Sequence, residues 1–171
     1  MEFKDIIQKR RSVREFTEEP VSDEKLRRVL ETARLAPSAS NRQAWKFVVV
    51  KDSNKRKALT QAASDQAFVG QAPIIIVAVA LEPERIMTCG IPSYAPDLAI
   101  AMEHVVLAAV DEGLGTCWIG AFSQENVRRI MGISDKYKVV TVMPMGYPVG
   151  ETATKPRKPI EEVVCYEKFT K

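Results

Sequence analysis

The chain has 171 residues, 46% apolar and 27% charged, with 25 Lys and Arg against 22 Asp and Glu for a formal net charge of +3. That balance excludes a fibrous repeat or a disordered tail, and a chain this long can bury roughly 70% of the surface its unfolded form exposes. One domain spanning residues 1–171 is expected, with its charge unevenly placed. Lys9, Arg10, Arg11 and Arg14 crowd one end, Lys155, Arg157 and Lys158 crowd the other, and no Lys or Arg stands between Arg85 and Arg128.

Three scattered cysteines, Cys89, Cys117 and Cys165, form no C-x-x-C pair and fit a reducing cytoplasm better than a disulfide framework. His104 is the only histidine, which argues against a zinc site and leaves no material for a histidine triad elsewhere. It sits in an apolar helical stretch and reads as a satisfied core or interface side chain. The first residues, MEFKDIIQKRRS, carry charge from Glu2 onward and lack the apolar core of a secretory signal. The longest apolar run, Ala72 to Leu81, is about half of the ~20 residues a spanning helix needs. A soluble cytoplasmic protein is expected.

Phe3, Ile6, Ile7 and Arg10 have helical spacing, which predicts a helix over residues 2–11, followed by the extended stretch SVREF. Ser22 is a candidate N-cap for a helix with the apolar stripe Leu26, Val29, Leu30 and Ala33, ending before Pro37. A polar loop, PSASNRQ, leads to a buried strand over residues 46–51. Ser53 is expected to cap a short polar helix to about Ala63, and the run from Pro73 to Ala80 reads as a second buried strand. Asp97 is expected to open a helix that is apolar on nearly every face through Val110, the signature of a buried helix or a subunit interface. Residues 116–120 read as a third strand, Ser123 as the cap of a helix closed by Gly132, and residues 139–145 as a fourth strand. Residues 147–159 form a loop rich in Pro and Gly, and residues 160–171 a terminal arm. Helices and strands mix without a regular βαβ rhythm, so the expected class is α+β, a central, largely antiparallel sheet flanked by helices.

Neither G-x-G-x-x-G nor G-x-x-x-x-G-K-[ST] occurs, which disfavours dinucleotide binding in the Rossmann manner and NTP hydrolysis on a P-loop. Any phosphate must be held by side chains and ordinary loop backbone. Arg10, Arg11, Ser12 and Arg14 offer guanidinium forks and a hydroxyl, with Ser12 and Arg14 on one side of an extended strand; a solvated basic helix end explains the same residues. Lys155-Pro156-Arg157-Lys158-Pro159 presents cations on a stiffened chain, or is a polar connector. The loop from Ala36 to Trp45 can hydrogen-bond a polyhydroxyl chain or a ring edge, and a structural turn uses the same side chains. Small residues at Gly120 and Ala121 would let a flat ring approach free backbone N–H groups, or simply form a tight turn before Ser123.

Taken in order, R-R-S-x-R-x-F from Arg10, A-P-S-x-x-N-x-Q-x-W from Ala36, G-L-G-T-C-W-I-G-A-F from Gly113, G-Y-P from Gly146 and K-P-R-K-P from Lys155 resemble the nitroreductase family of flavoproteins over nearly the whole chain. The resemblance implies FMN held without a covalent bond, NADH or NADPH as hydride donor, and a homodimer with two flavins at its interface. Arg10, Lys155 and Arg157 would then hold the FMN phosphate, with Arg11 beside them and Ser12 and Arg14 on the ribityl and pyrimidine side. Pro37, Ser38, Ala39 and Asn41 would come from the partner subunit, and the backbone N–H groups of Gly120 and Ala121 would face flavin N5 and its neighbouring carbonyl. No catalytic side chain is implied, because the flavin carries the hydride. Ala39 stands where many relatives have Ser, and the short stretch between Leu81 and Asp97 leaves little chain for a substrate lid. The implied reaction is a ping-pong transfer of hydride to a small organic acceptor such as a nitroaromatic or quinone, with no nucleic-acid or membrane partner. Alternatives are other redox chemistry on the same fold, an FMN storage or sensing protein without turnover, and a nucleic-acid-binding module that uses both basic ends and is colourless.

Overall fold

The structure, a computed structural model, describes residues 1–150 and 155–170. Part of the loop expected over 147–159 (residues 151–154) and the last residue of the expected arm, Lys171, lie outside the described residues. Six α-helices are described: α1 (Phe3–Lys9), α2 (Asp23–Arg34), α3 (Ser53–Ala62), α4 (Ala67–Gln71), α5 (Tyr94–Asp111) and α6 (Gln124–Met131). Four strands, β1 (Trp45–Val50), β2 (Ile74–Ala80), β3 (Gly115–Thr116) and β4 (Lys138–Gly146), form one sheet in the order β1-β2-β4-β3 with every ladder antiparallel.

β2 is central, and all seven of its residues are buried. Alternate residues of a strand face opposite sides. Ile74, Ile76, Ala78 and Ala80 therefore pack with Leu26, Val29, Leu98, Met102 and Val105 of α2 and α5 on one face. Ile75, Val77 and Val79 pack with Leu59, Val69 and Val127 of α3, α4 and α6 on the other. Helices thus cover both faces of an antiparallel sheet, as the expected class requires.

The caps follow local chemistry, with two departures from the expected pattern. The Ser22 and Ser123 hydroxyls accept the backbone N–H groups of Lys25 and Asn126, and Gly132 closes α6 at φ +65°. Ahead of α3, however, Asp52 and not Ser53 accepts the Lys55 N–H. A carboxylate is the stronger acceptor, and it stands one residue earlier. α5 begins at Tyr94, three residues before Asp97. The expected third strand is a ladder only at Gly115 and Thr116, and continues as a single bridge from Ile119 to Val142. His104 is half-buried, with Nδ1 3.0 Å from the Thr32 carbonyl oxygen.

One contact positions the region of interest. The Val13 N–H donates to the Thr116 carbonyl at 2.9 Å, and Ser12 bridges Thr116 in parallel. A little further on, the Thr17 N–H donates to the Tyr147 carbonyl and the Val149 N–H to the Glu15 carbonyl. The segment 12–17 therefore lies between the sheet edge and the exit of β4, the chain that leads to Lys155. Gly115 allows this, because a Cβ there would stand 2.4 Å from Val13 Cγ2.

Gly115→Ala is expected to destabilise the fold by about 1–3 kcal/mol through overpacking against Val13. Gly120→Ala, with nothing within 4 Å of its Cβ position, should leave stability within about 0.5 kcal/mol. Urea denaturation of both variants checks the contrast.

Candidate functional site

The N-terminal basic run starts where α1 ends. Arg10 leaves helical geometry at φ −54° and ψ 125°, and the chain becomes extended. Extension alternates the side chains: Val13 is buried against Gly115, while Ser12 and Arg14 face away from it. The result is a cavity of about 660 Å³ lined by Arg10, Arg11, Ser12, Arg14, Lys155 and Arg157, with Ile7 and Gln8 completing the wall. The two basic ends of the sequence meet here.

No acidic side chain among the described residues lines this cavity. Among the described residues, Arg10, Arg14, Lys155 and Arg157 form no ion pair, whereas Arg28, Arg34, Arg42 and Lys51 each do. Arg11 has a different role from its neighbours. Its Nη1 donates to the Gln8 and Arg10 carbonyls at the end of α1, and its buried Nε has no partner. Arg14 extends over the Phe68 ring, 5.9 Å from its centroid. The cavity is a cationic recess with spare donors, suited to an anion that brings several oxygens.

Cys117 connects this recess to the following residues. Burial pushes its thiol up, against the pull of the nearby Arg14 and Lys155 cations, so it stays protonated at neutral pH and is no nucleophile. Past it, Gly120 and Ala121 are exposed, and among the described residues neither backbone N–H donates a hydrogen bond. Gly113 and Gly132 have positive φ, and Gly115 and Gly146 would clash with Val13 and Pro73 if they carried a Cβ. Gly120 has neither reason to be glycine. Its bare backbone leaves open space beside two unclaimed N–H donors, which suits the approach of a flat polar ring.

The third region lies apart from the cavity lining. Pro37 is exposed, and residues Ala39–Asn41 form a short 3-10 turn with Ser40 at φ +55°, Asn41 at +52° and, just beyond, Gln43 at +52°. Left-handed geometry at non-glycine residues costs of order 1–3 kcal/mol each and persists only when the surroundings impose it. Three contacts do so. The Gln43 N–H donates to the Ser38 hydroxyl at 2.9 Å, the Ala39 N–H donates to the Asp97 carboxylate at 2.9 Å, and Arg42 forks onto Glu82. The Arg42 hydrogen bond holds the Glu82 carboxyl below its ordinary range. Nothing local in the sequence ties Asp97 or Glu82 to this loop, and Asp97 reads there only as an acid that opens a helix.

The described residues contain no cluster of metal-ligating side chains and no helix long and apolar enough to cross a membrane. A sequence model described as the nitroreductase family matches residues 7–147. The FMN reductase (NAD(P)H) of Bacillus subtilis is 32% identical over 177 residues, covering 93% of this chain and 71% of that protein. Among solved structures, a nitroreductase family protein from Clostridium novyi NT is 37% identical, with a TM-score of 0.83 over 87% of this chain and 86% of the other. The NADPH:FMN oxidoreductase of Vibrio harveyi, complexed with NAD+, is 29% identical, with a TM-score of 0.90 over 99% and 78%.

At neutral pH a maleimide should label exposed Cys89 readily and Cys117 only after denaturation, as checked by peptide mass spectrometry. Rapid native labelling of Cys117 would contradict the buried, protonated thiol.

Proposed function

The chain belongs to the nitroreductase family, and from that premise we propose that it is an FMN-dependent NAD(P)H oxidoreductase that works as a homodimer in the cytoplasm. The observation that carries this reading is the convergence on one cavity of Arg10, Arg14, Lys155 and Arg157, none of which forms an ion pair among the described residues. Further along the chain from Thr116, which pairs with Ser12, come the unclaimed N–H groups of Gly120 and Ala121. A phosphate ester joined to a polar planar ring matches both ends of that donor set.

FMN, when bound, would supply the redox chemistry, a ping-pong hydride transfer from NADH or NADPH to an organic acceptor such as a nitroaromatic or quinone. The protein's residues have binding and tuning roles. Arg10, Lys155 and Arg157 hold the phosphate dianion, with Arg11 fixing the end of α1 behind them. The Ser12 hydroxyl meets the ribityl chain, and Arg14 adds positive charge at the pyrimidine edge, which favours electron uptake there. Gly120 and Ala121 donate backbone hydrogen bonds to the ring at N5 and the adjacent carbonyl. No side-chain acid, base or nucleophile acts in this scheme, in keeping with a Cys117 thiol held protonated.

The dimer reading rests on apolar surface that a single chain leaves uncovered. α1 buries none of its residues, with Phe3 69% and Ile7 47% exposed. Every described residue from 155 to 170 is exposed, among them Ile160, Val163, Val164, Tyr166 and Phe169. An arm with this composition finds its partner on a second copy, which would also bring Pro37, Ser38, Ala39 and Asn41 to the cofactor of the other subunit.

The purified protein is expected to be yellow, to bleach with NADH or NADPH without oxygen, and to regain colour with a quinone. A colourless protein that FMN does not reconstitute overturns the reading. A yellow one that neither nucleotide bleaches points to storage or sensing. Arg10→Ala combined with Arg157→Ala should raise the FMN dissociation constant at least 100-fold, about 2.7 kcal/mol, with an unchanged circular dichroism spectrum. Retention of full colour would refute the phosphate assignment. Truncation after Pro159 should shift the protein from dimer to monomer in light scattering.

A further inference from the structure

Asp97 is the only Asp, Glu, Lys, Arg or His buried among the described residues, at 8% exposure. A carboxylate removed from water needs a hydrogen-bond donor. At the start of α5 the helix would be the obvious source, yet that end has no side-chain cap. The donor is instead the Ala39 N–H at 2.9 Å, 58 residues away in the sequence. That amide immediately precedes Ser40 and Asn41, both left-handed, and Ser38 ahead of it is fully extended at φ −144° and ψ 157°. The buried charge therefore acts where an extended chain turns abruptly into a costly conformation.

We propose that Asp97 is a positioning residue for the cofactor loop. By accepting the Ala39 N–H, it holds residues 38–43 in the turn that presents the loop to the FMN of the partner subunit. This rests on the FMN reading above. Neither Asp97 nor its carboxylate touches the cofactor in this account, and its effect is exerted through the loop backbone. The Ser38 hydroxyl closes the same turn from within, and the Arg42–Glu82 pair fastens its far end. Asp97 differs from both in being buried and in belonging to α5, so it references the loop to the helical layer of the core.

The test is FMN titration of the apo-protein by fluorescence quenching, with the thermal midpoint of each apo-variant followed in parallel. Asp97→Ala removes the acceptor and should weaken FMN binding at least tenfold. Asp97→Asn keeps an oxygen that accepts the same N–H and should bind within about threefold of wild type. Ala39→Pro removes the donor and puts the ring Cδ where the amide hydrogen met the carboxylate, so the contact is broken from the loop side and the variant should reproduce the loss. If Asp97→Ala does not fold, the other two variants decide. FMN affinity at the wild-type level in Asp97→Ala or Ala39→Pro overturns the inference, even where the thermal midpoint falls, because a purely structural role would register only there. Equal weakening in Asp97→Asn and Asp97→Ala overturns it too. A wild-type chain that takes up no FMN overturns the cofactor reading, and this inference with it.

Discussion

The site depends on a short length of backbone pairing, in which residues 12–17 are held between Thr116 at the sheet edge and Tyr147 and Val149 beyond β4. Without those bonds, Arg10 and Arg14 would be a basic tail on a helix with no buried residue, and Lys155 and Arg157 a basic tail on the other end. With them, the two tails share one cavity. The pairing requires Gly115, because the strand that accepts the Val13 N–H must approach closer than a Cβ permits. Several backbone hydrogen bonds at about 0.5–1.5 kcal/mol each, with Val13 and Phe16 buried beside Ala72, are enough to fix the segment.

That arrangement has an electrostatic consequence. Two unit charges 4 Å apart in an effective dielectric of 20 interact by about 4 kcal/mol, and screening by solvent reduces but does not abolish the repulsion among several exposed cations. Some cations elsewhere on this chain stand beside carboxylates, as Arg28 does with Glu24 and Glu112 and Arg42 with Glu82. Concentrating unpaired cations in one recess is unfavourable for the empty protein and favourable for one that holds a dianion. A dianion bound there would stabilise the fold by mass action as well as filling the site.

The elements governed by local chemistry were legible in the sequence. The continuous apolar run of β2, the Ser22 and Ser123 caps and the left-handed Gly132 could be read from neighbouring residues alone, and so could the antiparallel class. Errors arose where a neighbour competed or a longer-range contact decided. Asp52 displaced Ser53 as the α3 cap, and α5 began at Tyr94, where no side-chain cap marks the start. β3 is a ladder only over Gly115 and Thr116, and beyond them the same chain keeps only isolated bonds to β4, at Pro144 and Val142. α4 was not anticipated, and its five residues are too few to display a helical period. For the site, the basic residue types and their crowding at both ends were visible, whereas their convergence follows from pairings more than 100 residues apart. Asp97 could be seen only as a helix-opening acid, since nothing local connects it to Ala39.

α5 links the parts of the site that a single chain keeps separate. Its inner face, with Leu98, Met102 and Val105, anchors it to the sheet, and Asp97 near its start is tied to the loop at Ala39. Its outward side leaves Ile100 exposed and Leu107 and Val110 half-covered. On the dimer reading, the helix that meets the second copy is thus the same element that sets the geometry of the loop delivered to it. Any free energy that orders the loop against a bound cofactor must then act on subunit association as well, and by linkage association must tighten the cofactor by an equal amount. On that reading dimer and cofactor site would be one thermodynamic unit, with a buried carboxylate at the junction between them.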